Sequence, residues 1–256
     1  IPQSDCDRKA IEWYAQKFQS ALGEIEDHFS KYRISDALMA TYKLVWDDFC
    51  SWFLEWIKPE YGKAISAETY AQVVELFEAN LKILHPFVPF VSEEIWQKLS
   101  VRTQDQALII AKWPEIKSPD TDLIQAFEHT KEVVSGIRTL RKEKNISFKE
   151  TIDLTVNDAA SLGDYYQSAI AKFCNVAEVN YADVAPEGAL SFRVRSNEYY
   201  VPVSGYVDAE QERKKLQEEL AYTEGFLKSV RGKLSNARFV DNAPEAVVAA
   251  ERQKEA

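Results

Sequence analysis

Residues 35–59 read SDALMATYKLVWDDFCSWFLEWIKP. Leu38, Tyr42, Val45, Phe49, Trp52 and Trp56 recur at steps of three and four, the spacing of one face of an α-helix. Trp46, Phe53 and Ile57 widen that stripe, so a helix over 35–58 is expected to be buried around much of its circumference. Pro59 stops it. Such a helix needs others around it, and its flanks supply them. Ile11, Tyr14, Phe18, Leu22, Ile25 and Phe29 repeat the rhythm over 5–30. Ser66 is placed to cap a third helix carrying Tyr70, Val74, Phe77, Leu81 and Leu84. His85-Pro86-Phe87-Val88-Pro89 breaks it, and a fourth helix follows with Ile95, Trp96 and Leu99 facing in. Four amphipathic helices with short connections predict a bundle over 1–118. It closes on a short extended run at Leu108-Ile109-Ile110 and a turn at Ser118-Pro119-Asp120.

A fifth helix over 121–144 carries Leu123, Phe127, Val133, Val134, Ile137 and Leu140. The period then changes to two at Thr151-Ile152-Asp153-Leu154-Thr155-Val156, which predicts a strand. A helix over 160–173 and three more strand-like runs follow, at 178–184, 189–194 and 199–203. Gly188 and Ser196-Asn197 supply the turns. These segments make a small α+β unit over 119–206. Over 207–256 the period is heptad: positions 209, 213, 216, 220, 223, 227, 230 and 234 form one seam of Ala, Arg, Leu, Leu, Thr, Leu, Val and Leu. A loop over 235–243 follows, with Pro244 set to open a return helix that has hardly begun at Ala256. The base of the first arm helix, 208–220, is therefore expected to stand without a partner. The fold class is mostly α: a helical bundle, an α+β junction unit and an antiparallel coiled-coil hairpin.

The chain has 256 residues and a net charge of −10, which taken alone argues against nucleic acid. The sign is segregated, however. Lys131, Arg138, Arg141, Lys142, Lys144 and Lys149 face only Glu132 and Glu143 in their stretch. Arg138 and Arg141, three apart, share a helical face. Lys228, Arg231, Lys233 and Arg238 lie in a stretch, 225–238, with no acid at all, whereas 208–224 is rich in Glu. Each stretch also reads plainly as a solvated helix face. A projecting arm with a basic, acid-free end is more pointed, because a two-helix hairpin has no globular core to serve.

Catalytic patterns are missing. There is no G-x-G-x-x-G and no G-x-x-x-x-G-K-[ST], and glycine is scarce at eight residues. Adjacent Asp47 and Asp48 point about 100° apart on a helix and cannot work as a pair. His28, His85 and His129 lack metal-ligand spacing. Cys6, Cys50 and Cys174 are far apart and form no C-x-x-C, which fits reduced thiols in a cytoplasmic protein. The many Trp and Tyr fall on inward stripes and read as core before base-stacking platforms. No apolar run spans a bilayer, no signal peptide opens the chain, and the missing initial Met suggests that it begins mid-protein.

Arg33-Ile34-Ser35-Asp36-Ala37-Leu38, Trp46-Asp47-Asp48-Phe49-Cys50-Ser51-Trp52 and the run from Leu84 to Trp96 closely resemble the helical anticodon-binding domain of class I valine–tRNA ligases. The run from Ile137 to Ile146 resembles the helix that follows that bundle in the family. The run from Lys233 to Pro244, with Val247-Val248 and Glu251-Arg252, is similar to the turn of its coiled-coil arm. The resemblance covers essentially the whole chain. It implies a bundle that meets the anticodon stem-loop and an arm that lies against the outer corner of the tRNA. Arg138, Arg141, Lys142, Lys144, Lys228, Arg231, Lys233 and Arg238 are the candidate tRNA contacts.

The family's His-x-Gly-His signature and Lys-Met-Ser-Lys-Ser loop are absent, since the one methionine, Met39, sits in Leu38-Met39-Ala40-Thr41. By that resemblance ATP, magnesium and proofreading belong to catalytic and editing domains that this chain lacks, and no cofactor is expected here. The implied partners are valine tRNA and those domains, in a monomeric enzyme away from membranes. Two other readings compete: a freestanding coiled-coil module that binds a protein, and the equivalent region of an isoleucine–tRNA ligase.

Overall fold

The computed structural model describes residues 1–157, 163–182, 184–202, 209–236 and 245–255. They form two compact units, Ile1–Pro202 and Val203–Ala256.

In the first unit, helix α1 (Asp5–Ser30) opens on Ser4, whose hydroxyl accepts from the Asp7 N–H at 3.0 Å. It ends in a tight turn in which the Arg33 N–H reaches back to the His28 carbonyl at 2.9 Å. That turn needs a left-handed residue, and Tyr32 takes the place at φ 57°. A β-carbon there costs about 1 kcal/mol relative to glycine.

The sequence that predicts one long second helix forms α2 (Ile34–Tyr42), a π-helical segment (Lys43–Phe53) and α3 (Leu54–Ile57), without a break. Most π-helices are single-turn bulges, so this one is long. Its wider turns shift which side chains face in. Ala37, Ala40, Thr41, Leu44, Asp48, Phe49, Phe53, Trp56 and Ile57 are buried. Leu38, Tyr42 and Trp46, expected inside, are 44%, 49% and 59% exposed. Small side chains at 37, 40 and 41 turn inward instead, and Thr41 satisfies its hydroxyl on the Ala37 carbonyl at 2.8 Å.

Helix α4 (Ala67–Leu84) starts at Ser66, whose hydroxyl accepts from the Thr69 N–H at 3.4 Å. It runs parallel to α1: Thr69 donates to Asp7, the Tyr14 hydroxyl donates to Asn80 at 2.8 Å, and Phe29 stacks on Phe87 at 5.9 Å. Tyr70, read as part of the inward stripe, is exposed; Leu81 of that stripe is buried, and Asn80 and Ile83 are buried beside it. Helix α5 (Pro89–Leu99) has Pro at its first position. Its Trp96 packs with Leu81 and Leu108, under the Arg102 guanidinium at 3.9 Å. Leu108–Ile110 is a 3-10 turn, where an extended run was expected. The Glu93 carboxylate takes the Leu108 N–H at 2.8 Å and fixes that turn.

Helix α6 (Thr121–Glu143) is capped by Asp120. The sequence places a boundary at 118, but α6 packs directly into the bundle. Phe127 lies 4.0 Å from Trp13 and 4.8 Å from Trp56, nearly parallel to the latter. Tyr166 and Phe173 of helix α7 (Gly163–Cys174) join the same cluster. Strands β1 (Ile152–Val156), β2 (Val176–Tyr181), β3 (Ala189–Val194) and β4 (Asn197–Pro202) form a sheet in the order β2-β1-β4-β3. The β1–β2 pair is parallel across α7, and the other pairs are antiparallel. The hairpin between β3 and β4 turns at Arg195, φ 56°, one residue before the expected place. The Arg195 guanidinium grips Glu132 of α6 through two bonds of 3.0 Å. Pairing with Arg195 holds the Glu132 carboxyl below its ordinary range.

Arg141 is 4% exposed. Its guanidinium donates to the carbonyls of Ser147 and Glu150 at 2.8 Å and of Cys174 at 2.9 Å. It therefore ties the end of α6 to the loop before β1 and to the α7–β2 turn, and has no surface to offer RNA. Lys172 similarly caps the last carbonyls of α3, reaching Lys58 at 2.6 Å and Trp56.

The second unit is a pair of helices, α8 (Ala209–Leu234) and α9 (Glu245–Glu255), which pack on each other. Val230 and Val248 are buried in their seam. Leu220, Tyr222 and Phe226 are exposed toward the other end of α8. The heptad side chains Ala209 and Leu216, the loop residues 237–243 and Pro244 lie outside the described residues. No helix among the described residues is long and apolar enough to cross a membrane.

Two substitutions test this packing. Arg141→Met strands buried carbonyls, each worth about 1–3 kcal/mol, and is expected to cost at least about 3 kcal/mol in denaturant unfolding. A β-carbon at Gly136 on α6 would stand 2.4 Å from the ring of Phe192 on β3. Gly136→Ala is thus expected to lose about 1–2 kcal/mol net, overpacking outweighing the roughly 1 kcal/mol gain in helix propensity. An unchanged or higher denaturation midpoint would contradict the close α6–β3 approach.

Candidate nucleic-acid interface

Three surfaces present the residue types that RNA requires. The first is the last turns of α6. Arg138 is exposed, donates to the Phe173 carbonyl at 3.3 Å, and lies about one cation–π distance from Trp52 (5.9 Å) and Phe173 (6.0 Å). Its helical neighbour on the outer face is Lys142, four residues on and also exposed, rather than the buried Arg141. Lys144, the C-cap, is half-buried. Of the four residues expected on this helix, the structure leaves Arg138 and Lys142 exposed.

Lys131, on the same helix, has its charge committed elsewhere. It lies 3.4 Å from Asp48 and 2.8 Å from Glu128. Lys17 of α1 completes the group, 3.7 Å from Asp48 and 3.3 Å from Glu128. Burial pushes the Asp48 carboxyl up, and Lys17 and Lys131 pull it back down. The network clamps α1, the π-helical segment and α6 together, which fixes the direction in which Arg138 and Lys142 project. Asp47, by contrast, faces solvent, so the two adjacent carboxylates are separated by the helix itself.

The second surface is the end of α8. Lys228, Arg231 and Lys233 are exposed, and residues 225–236 contain no acid. Cations in the last turn favour the helix dipole, which explains part of their placement without RNA. Arg238, expected beside them, lies outside the described residues.

The third surface escaped the sequence reading, which assigned the aromatics to the core. Tyr42 and Trp46 stack on one another outside the bundle, ring centroids 6.1 Å apart and planes 12° apart. Tyr32 is 90% exposed and Phe90 91%. A signal was present: Tyr32 falls between two helical patterns, and Phe90 follows directly on Pro89.

The histidines hold structure together. His85 Nδ1 meets the Ser92 hydroxyl at 2.8 Å, fastening the end of α4 to α5, and His129 Nε2 meets the Tyr199 hydroxyl at 3.1 Å. Among the described residues no three His, Cys, Asp or Glu side chains are arranged to hold a metal. The three cysteines are free, and burial pushes the Cys174 thiol up to about 12.

Comparison with known proteins agrees with this layout. Residues 12–156 match the profile of the anticodon-binding domain of tRNA ligase, and residues 208–256 match that of the valyl tRNA synthetase tRNA binding arm. The valine–tRNA ligase of Christiangramia forsetii is 56% identical over the whole chain, and that of Parabacteroides distasonis 42%. The valine–tRNA ligase of Enterococcus faecalis is 33% identical over 96% of the chain. The chain spans 29% of the length of each of these relatives. A bundle matched across α1 to β1, followed by a two-helix arm with a basic end, places the chain in the family of anticodon-binding domains of tRNA ligases, in the form, ending in a tRNA-binding arm, that valine–tRNA ligases have.

Proposed function

We propose that this chain is the tRNA-gripping part of a cytoplasmic, monomeric enzyme that attaches valine to valine tRNA with ATP. The bundle meets the anticodon stem-loop and the arm meets the outer corner of the tRNA. ATP, magnesium and the chemistry of activation and proofreading belong to other domains of that enzyme. The observation that carries the reading is the acid-free basic end of α8 on a helix whose other half is acidic. Lys and Arg there neutralise phosphates, which positions an RNA without reading its sequence. Discrimination then falls to unstacked loop bases, the part of RNA that proteins read by stacking and hydrogen bonds.

A protein-binding coiled coil would carry mixed charge beside its seam. The described residues from 225 to 236 do not.

Titration of the chain with valine tRNA and isoleucine tRNA, at low and moderate salt, tests the proposal. Weak, salt-sensitive binding that favours valine tRNA is expected. Changing Lys228, Arg231, Lys233 and Arg238 together to Ala is expected to weaken binding to every tRNA and to flatten the log–log salt slope by about 3. No binding to either RNA at low salt would overturn the tRNA reading in favour of a protein partner.

A further inference from the structure

Helix α2 and the π-helical segment pack inward through Ala37, Ala40, Thr41, Leu44, Asp48 and Phe49. Their outer side carries a second apolar row. Leu38, Tyr42 and Trp46 follow one another at steps of four and stand about half in solvent, as do Ile34 one step earlier and Met39 beside Leu38. Cys50 extends the row by one more step and is exposed too. In the π-helical segment the wider turn brings residues five apart together. Ser51, next to Cys50, accordingly donates its hydroxyl to the Trp46 carbonyl at 2.9 Å. The Tyr42 and Trp46 rings lie 12° from parallel, so the row is continuous across the join between the two helical forms. From Leu38 to Cys50 it is a ridge on the order of 15 Å long.

Magnitudes decide what such a ridge can hold. Five half-exposed apolar side chains leave roughly 100 Å² each in water, or about 500 Å² together. That equals the largest apolar patch of a typical monomer, about 300–600 Å², and such patches are commonly binding surfaces. RNA fits it poorly. Tyr42 and Trp46 spend one ring face each on one another, and exposed Lys43 and Asp47 border the row with one charge of each sign. Phosphates gain nothing from such a border. A second copy of the chain fits poorly as well. Two ridges laid together would bury about 1,000 Å², short of the roughly 1,600 Å² of a standard stable interface. A domain on the same polypeptide needs less. The tether supplies a millimolar effective concentration, and interfaces within one chain begin at about 600 Å². The relatives named above have length for one, since this chain spans 29% of each.

From these observations we infer that the ridge of Leu38, Tyr42 and Trp46 is the seat of another domain of the same polypeptide, which meets it with an apolar face of its own. The inference rests on the reading of this chain as part of a larger enzyme. An apolar centre with a border of mixed charge is the usual anatomy of a protein–protein contact.

Cys50 reports on the ridge from its end. The test compares alkylation of Cys50 by iodoacetamide in the full-length enzyme and in this chain, read by peptide-resolved mass spectrometry. Alkylation is expected to be at least about 10-fold slower in the full-length enzyme, with or without valine tRNA. Leu38→Glu combined with Tyr42→Glu lies two to three turns from Cys50 and puts charge into the contact. It is expected to return the full-length rate to that of the chain, while leaving the rate in the chain unchanged. Equal rates in the two wild-type proteins would overturn the assignment, as would protection that survives the double variant. Protection that needs valine tRNA would give the ridge to RNA, and protection in this chain that grows with its concentration would give it to a second copy. Either result overturns it. Charging of valine tRNA with valine by the same full-length protein is followed alongside. Its absence sinks the valine–tRNA ligase reading whatever Cys50 reports. Charging with Cys50 unprotected leaves that reading standing and overturns this assignment alone.

Discussion

Phe127 occupies the place on which the rest of the first unit depends. Its ring lies between Trp13 of α1 and Trp56 of α3, with Tyr166 of α7 on a third side. All but Tyr166 are fully buried, and Tyr166 nearly so. Buried aromatics of this size each remove some 150–250 Å² from water, and truncating one typically costs about 3–5 kcal/mol. The cluster seats α6, the bridge between bundle and sheet, against α1, α3 and α7. With α6 seated there, Gly136 meets Phe192 on β3 and Glu132 meets Arg195 at the hairpin tip. The helices and the sheet are one packed unit for that reason.

Burying charge around this helix serves direction more than stability. A buried ion pair is weak evidence for net stabilisation, because desolvation offsets most of the attraction. The Asp48 group has two cations and two carboxylates, so each charge finds an opposite neighbour. Arg141 is different: its two terminal guanidinium nitrogens are paired with carbonyl dipoles in fixed directions. Between them these contacts fix α6 at its middle and at its end. One face is thereby held inward, and Arg138 and Lys142 are left on the other.

Element existence was legible because long periodic stretches and punctuating Ser, Asp and Pro residues specify helices locally. Ser4, Ser66 and Asp120 cap where a cap was needed. The face of the second helix was less legible. Counting hydrophobic residues favours Leu38, Tyr42 and Trp46, whereas close helix approach selects Ala37, Ala40 and Thr41, and the π-helical segment then shifts the phase. The boundary at 118 failed for a related reason: Ser118-Pro119 is a turn in the chain, and packing through Phe127 ignores it. Arg141 was misjudged because its spacing from Arg138 is right for a shared face, yet a buried set of carbonyls, invisible in sequence, claims it. The exposed rings at 32 and 90 were missed because composition treats every aromatic as core.

A net charge of −10 on a chain proposed to bind a polyanion looks contradictory until the distances are considered. Whole-molecule charge acts only within the screening length, about 8 Å at physiological ionic strength. Along α8 the acids end at Glu224. At 1.5 Å per residue, Arg231 lies roughly 10 Å and Lys233 roughly 13 Å further up the axis, each beyond one screening length. RNA at the end of α8 therefore meets a stretch of that helix bearing positive charge alone, with Glu245 and Glu251 on the neighbouring α9, while RNA that drifts toward the acidic half is repelled. Acid at one end and base at the other thus do what uniform basic charge cannot: they restrict the backbone grip to one position on the arm. A uniformly basic helix would bind more tightly at low salt and slide. Segregated charge gives up that affinity for register along the arm.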